Sequence, residues 1–269
     1  MSNRSRTRDR RVERGRRQRR QRQIYALIAV VVVVVVVVGL IIVSNVPADA
    51  PIPPSSEQTY ANVPQSKSEK GYPRLGNTKA PVRVDEYSSF DCTHCADFHE
   101  TVTPALVARA GKGEILFAYV PLYGTGSISN GQGAARAALC VGEQGKFWQY
   151  HDALFTWQKT FGQGAFSQSR LVAGLDNLGI NRSAFDQCMG SDLPDKVLQT
   201  AITDTQALGA SFSGTPTVAV NGVVVGTPGL NEINQAIDQA LSLAGVTPIP
   251  VQPTQPVTGE ATPEATAAH

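Results

Sequence analysis

The sequence predicts an α/β domain, a mixed sheet with helices on its faces, preceded by one transmembrane helix. Three observations lead there. Twenty uncharged residues, Ile24 to Val43, come directly after an arginine-rich arm. Beyond them, β-type and helical runs alternate as β, α, β, helical block, β-hairpin, α. Cys92-Thr93-His94-Cys95 falls where the first strand gives way to the first helix. A strand–helix–strand unit that continues into an antiparallel hairpin and a helix builds a mixed sheet covered by helices.

Residues 1–23 carry eleven arginines against Asp9 and Glu13. The rest of the 269-residue chain holds thirteen bases against twenty acids, so the net charge of +2 reflects the arm alone and implies no nucleic-acid partner for the folded part. Ile24 to Val43 contains an unbroken valine run, Val30 to Val38. As a helix, a stretch of this length spans about 30 Å, the thickness of a bilayer core. In lipid a single span has to be helical, because its backbone groups must be satisfied internally. The arginines place the N-terminus in the cytoplasm and the rest of the chain, beyond the span, outside it. The apolar run exceeds the roughly 7–15 residues of a signal-peptide core. Pro51 comes straight after the one small-residue site, Ala48-Asp49-Ala50, so a retained anchor at the cell membrane is expected. The four cysteines would then lie where disulfides persist, and two pairs are expected.

Residues 44–71 are rich in Pro, Ser, Gln and Asn and read as a flexible linker. Residues 247–269 repeat Pro, Thr and Ala and read as a disordered tail. The folded domain is expected over residues 72–246.

Within it, residues 82–87 form a β-type run and 88–91 a turn. A helix starts near Cys92, with Phe98, Val102 and Leu106 on one face, and Pro104 is expected to kink it. Residues 114–120 read as a second strand ended by Pro121. Helical spacing then recurs around 130–142, 146–160, 168–178, 181–189 and 193–209. Asn221-Gly222 separates two valine-rich runs, 217–220 and 223–225, and signals a hairpin because both residues tolerate positive φ. Leu230, Ile233, Ile237 and Leu241 line one face of a last helix.

The chemistry rests on Cys92 and Cys95. The thiolate is the reactive form, and a helix start, with its free N–H groups and positive dipole end, stabilises one at Cys92. His94, when protonated, adds a positive charge nearby. Cys95, one turn further in, is expected to be buried and to close the disulfide. A stabilised thiolate favours the reduced form, so the disulfide is readily given away. A zinc site built from Cys92, Cys95 and His99 is the competing reading, although no second Cys or His pair occurs at finger-like spacing. Haem attachment requires His where Ala96 stands. Cys140 and Cys188 sit outside any CxxC and read as a structural disulfide. His99 and His151 read as ordinary helix residues, and Phe147, Trp148 and Trp157 as core.

Over residues 72–245 the chain resembles the DsbA-like, thioredoxin-fold thiol–disulfide oxidoreductases, which carry a helical insertion. The likeness rests on Ala80-Pro81-Val82, Glu86 and Cys92-Thr93-His94-Cys95, and on Gly214-Thr215-Pro216-Thr217 before Asn221-Gly222. Residues 127–210 take the place of the insertion. The resemblance implies a cis peptide before Pro216, packed near Cys92, with Thr215 offering its backbone to a substrate strand. It further implies a buried acid at Glu86 that exchanges protons with Cys95, a place that Asp85 could also fill. Thr-His between the cysteines departs from the commoner Pro-His and leaves the redox potential open.

The expected function is therefore an extracytoplasmic thiol–disulfide oxidoreductase that donates disulfides to exported, cysteine-containing proteins. A membrane redox partner would recycle it, and neither a metal nor an organic cofactor is implied. A reductase or isomerase, and a non-enzymatic zinc-binding module, are the alternatives.

Overall fold

The structure, a computed structural model, describes Tyr25 and residues 27–37, 48–226 and 228–246. The arm at 1–23 and the tail at 247–269 lie outside the described residues. Tyr25 and residues 27–37 are helical and exposed. The remainder of the expected span, 24–43, is not described, and among the described residues no helix is long and apolar enough to cross a membrane. The chain divides into two compact units, Met1–Ala48 and Asp49–His269. The second carries the fold.

The second unit opens on helix α1 (Ser55–Tyr60) and strands β1 (Gln65–Lys67) and β2 (Pro73–Leu75). Strand β3 (Val82–Ser89) leads into helix α2 (Thr93–Thr101), helix α3 (Thr103–Gly111) and strand β4 (Ile115–Leu122). Five helices come next: α4 (Gly131–Gly142), α5 (Phe147–Phe161), α6 (Gln168–Asn177), α7 (Arg182–Gly190) and α8 (Leu193–Leu208). Strands β5 (Thr217–Val220) and β6 (Val223–Val224) and helix α9 (Leu230–Leu243) complete the unit. The sheet runs β1-β2-β4-β3-β5-β6. Only β3 and β4 are parallel, an arrangement that needs the long crossover through α2 and α3, and the other pairings are antiparallel.

Several boundaries differ from the sequence reading for identifiable reasons. The expected linker is corrected over Ala50–Lys67: Ala50, Ser56 and Tyr60 are buried, and β1 pairs with β2. The Trp157 indole donates to the Pro51 carbonyl at 2.7 Å, and the Asn177 amide donates to the Ala50 carbonyl at 2.7 Å. A few anchored polar groups thus order a segment whose composition is that of a tether. Pro104 does not kink one helix but separates two. It occupies the first turn of α3, where its missing N–H costs nothing, and the Val102 amide closes α2 on the Phe98 carbonyl. The expected turn at 88–91 gives way to strand as far as Ser89, because the parallel ladder with β4 continues to Ser89 opposite Leu122. The same ladder carries β4 through Pro121. On its other side β4 pairs with β2 only at Phe117 and Ala118, so no strand there calls on the proline for an N–H.

The core is set by this order. Every residue of β4 is buried, as expected of a strand covered on both faces. Phe117 meets Trp148 with ring centroids 5.4 Å apart, and Phe90 stacks on Tyr119 at 5.4 Å. Phe147, Trp148 and Trp157 are all buried. Arg109 of α3, 2 % exposed, pairs with Glu114 at 2.8 Å and reaches Asp238 and Asn234 of α9. Two sequence-distant helices are thereby tied together. Cys140 of α4 and Cys188 of α7 are bonded, with Cα atoms 5.6 Å apart.

Candidate active site

Cys92 is the N-cap of α2. Its extended backbone (φ −92°, ψ 121°) turns the chain out of β3 into the helix. The Cys92 amide donates to the Ser89 carbonyl at 3.2 Å, which fixes that turn. Cys92 and Cys95 are both free thiols and both buried. Thr215–Pro216 is a cis peptide, and the Cys92 thiol donates to the Thr215 carbonyl at 3.3 Å. Two loops more than a hundred residues apart in sequence thus meet at one sulfur. The Thr125 and Thr215 hydroxyls join at 2.7 Å and close a third loop over the pair.

The two thiols are driven apart in acidity. The Cys92 thiol is lowered to about 5, first by a hydrogen bond from Cys95, then by the side chain of Thr215 and by the main-chain amides of Cys95 and His94, against the cost of burial. Burial, together with the neighbouring Cys92, pushes Cys95 far up. The anion therefore resides on Cys92, where the first-turn amides point. His94 enters through its main-chain amide. Its side chain is exposed and lines a groove of about 390 Å³ with Phe98, Val102, Pro216 and Leu230.

Glu86 lies in the centre of β3, fully buried, and burial raises its carboxyl to about 7, with the Ser88 hydroxyl opposing. Ser88 also neighbours Cys95, and Tyr119, paired with Glu86 in the ladder, feels both charges. Asp85, on the opposite face, is held by Arg83 at 2.8 Å instead. Of the two acids, Glu86 is the fully buried one, and it shares Ser88 and Tyr119 as neighbours with Cys95. His99, the third ligand of the zinc reading, faces His151 and Asp152 rather than the cysteine pair.

Two residues that sequence reasoning passed over organise the site. Asp91, assigned to a turn, is buried, and its carboxylate accepts the Gly124 amide at 2.7 Å, the Gly126 amide at 3.1 Å and the Ser89 hydroxyl. The loop over Cys92 is therefore built on one side chain. Gly126 passes so close that a Cβ there would lie 1.9 Å from the Asp91 carbonyl oxygen. Gln158 of α5 donates to the Cys92 carbonyl at 3.1 Å and to that of Phe90. The burial of Asp91 and Gln158 has no signature in local periodicity, since their partners come from distant loops.

A mixed sheet whose first parallel strand delivers a CxxC to a helix start, opposite a cis-proline loop, defines a thioredoxin-like protein with a dithiol centre. The chain belongs to the thioredoxin family: the family model described as Thioredoxin matches residues 68–239, more than half of the chain. A Rickettsia typhi protein, provisionally named a protein-disulfide oxidoreductase, is 33% identical over 173 residues, 62% of this chain and 61% of that one. Disulfide bond formation protein D of Bacillus subtilis is 32% identical over 109 residues, 38% of this chain and 47% of that one. The chain thus spans less than two thirds of the length of these two relatives. The crystal structure of oxidised BdbD from Bacillus subtilis matches in fold, with a TM-score of 0.57 at 24% identity, covering 67% of this chain and 98% of that one.

Proposed function

We propose that this chain is a membrane-anchored thiol–disulfide oxidoreductase that donates disulfides to exported proteins. The opposed acidities of Cys92 and Cys95 carry this reading. A substrate thiolate attacks Cys92 Sγ of the oxidised pair. The new bond joins substrate sulfur to Cys92, and Cys95 leaves with the electron pair and takes up a proton. Glu86, raised to about 7, is a proton donor suited to that step near neutral pH. A second substrate thiolate then attacks the substrate sulfur of the mixed disulfide. Cys92 departs as a thiolate, and its low proton affinity makes it the good leaving group. The substrate is oxidised and the pair is left reduced, to be re-oxidised by a membrane partner.

The names of the relatives support disulfide chemistry, and that of the Bacillus protein supports the donating direction. The arginine arm and the apolar run support an N-terminus in the cytoplasm and a catalytic unit outside it. The main chain of Thr215, before the cis bond to Pro216, lies beside Cys92 and could pair with the main chain of a substrate. The test is to mix the oxidised full-length protein with a reduced two-cysteine peptide. One peptide disulfide should form for each Cys92–Cys95 disulfide lost, and Cys95→Ala should accumulate a mixed disulfide through Cys92. Absence of transfer, or trapping through Cys95, would overturn the reading. A membrane-impermeant thiol reagent should label reduced Cys92 in intact cells; protection until lysis would overturn the location.

A further inference from the structure

We propose that His99, His151 and Asp152 form a binding site for one divalent transition-metal ion of the zinc class. The three offer one ligand atom each, all within 4.8 Å of one another, although their sequence spacing signals nothing of the kind. His151 Nδ1 lies 3.3 Å and His99 Nε2 lies 3.6 Å from the same oxygen, Asp152 Oδ1. Tetrahedral zinc with metal–nitrogen bonds of about 2.0–2.1 Å has ligand–ligand edges of about 3.3 Å. Two edges of the triangle are already near that size. Two imidazoles and one carboxylate suit zinc and its neighbours rather than calcium or magnesium, which take oxygen sets.

The surroundings are those of an oriented site. The Ser56 hydroxyl donates to Asp152 Oδ2 at 2.9 Å and the Tyr60 hydroxyl donates to Oδ1 at 2.7 Å, which fixes the carboxylate. Both of these residues precede the part of the chain that matches the family. The far nitrogens of the rings, His99 Nδ1 and His151 Nε2, are buried without a hydrogen-bond partner. Were each imidazole to use its proton toward Asp152, both far nitrogens would be bare lone pairs among aromatic rings. With a metal on the near nitrogens, the far ones carry the protons. The His151 ring then carries its N–H within an aromatic surround, with the rings of Phe90, Tyr119 and Trp148 at centroid distances of 5.7, 5.0 and 5.3 Å. His99, with its side chain one-fifth exposed, lines with Tyr60 and Asp152 a cleft of about 240 Å³ that gives an ion a way in. The bound ion would clamp α5, and through Ser56 and Tyr60 also α1, onto α2 one turn beyond Cys95.

The test uses the full-length protein with both cysteine pairs oxidised, so that no thiolate competes for metal. After treatment with a chelator, it is titrated with Zn²⁺ alone and, separately, Co²⁺ alone. The wild type should retain one zinc equivalent, show the visible absorption of cobalt bound by nitrogen and oxygen, and melt at a higher temperature with zinc than with chelator. His99→Ala should retain none. Tyr60→Phe, which keeps all three ligands, should bind zinc about 10- to 100-fold more weakly. Equal zinc retention by wild type and His99→Ala would overturn the site. Should His99→Ala fail to fold, wild-type cobalt and zinc binding decides alone, and its absence would overturn the site equally. Disulfide transfer to the peptide is measured independently, so failure here leaves the dithiol reading standing.

Discussion

The side-chain amide of Gln158 donates to the carbonyl oxygen of Cys92 at 3.1 Å, so a helix of the insertion holds the backbone on which the reactive sulfur sits. The same amide serves the Phe90 carbonyl, and the whole arrangement is buried. Gln158→Leu keeps most of the volume but strands both carbonyls. A buried acceptor left unpaired costs about 1–3 kcal/mol, and denaturant titration should show a loss in that range. A variant as stable as the wild type would mean that the carbonyls find other partners.

Cys95 is the largest cause of the acidity of Cys92. In reduced Cys95→Ala that hydrogen bond is gone, and the thiolate on Cys92 loses its best donor. The pH at which Cys92 alkylation reaches half its limiting rate should therefore rise above the wild-type value of about 5. Identical alkylation profiles would assign the acidity to Thr215 and the helix amides alone.

Glu86 links stability to pH with a definite sign. Its folded value is raised to about 7 from the usual 4.5. Below the unfolded value both states are protonated and the contribution is intact. As pH rises, the unfolded chain releases the proton first, and stability falls until pH passes the folded value. A shift of this size corresponds to a loss of about 3 kcal/mol at most. Glu86→Gln removes the proton exchange, so its stability relative to wild type should climb by that order between pH 4.5 and 7. A pH-independent difference would show that Glu86 is not buried as a neutral acid.

The Cys140–Cys188 bond closes a loop with a sequence separation of 48. Cys140→Ala with Cys188→Ala should lower stability by up to about 4 kcal/mol in the chain-entropy picture. The alkylation profile of Cys92 should stay where it is, since nothing in its immediate shell changes. A displaced profile would mean that α4 and α7 position the dithiol.

Much of this architecture was legible in the residue order. The helices α4 to α8 fall within a few residues of their periodic runs. Asn221 and Gly222, at φ of 47° and 83°, make the hairpin turn that their types signal. Local pattern carries such information because capping, turning and periodicity act over a few residues. It fails where one polar group is answered from far away. Asp91 looks like any loop aspartate until Gly124 and Gly126 are folded onto it. His99 and His151 look like ordinary residues of two helices until α2 and α5 pack and both turn toward Asp152. The segment 50–60 has the composition of a tether, and contacts from far along the chain, among them the indole of Trp157, the amide of Asn177 and the carboxylate of Asp152, reveal that it is docked.

That docking decides where the protein can be cut. A shortened version beginning at residue 72, where composition changes, would lose the outer strand β1 and deprive Asp152 of both its hydroxyl donors. The indole of Trp157 would lose its carbonyl acceptor at the same stroke. Expression trials should therefore begin at or before Asp49. Trp157 also supplies a built-in optical gauge: protease clipping within residues 49–60 should move tryptophan emission to the red before any loss of helix is seen by circular dichroism.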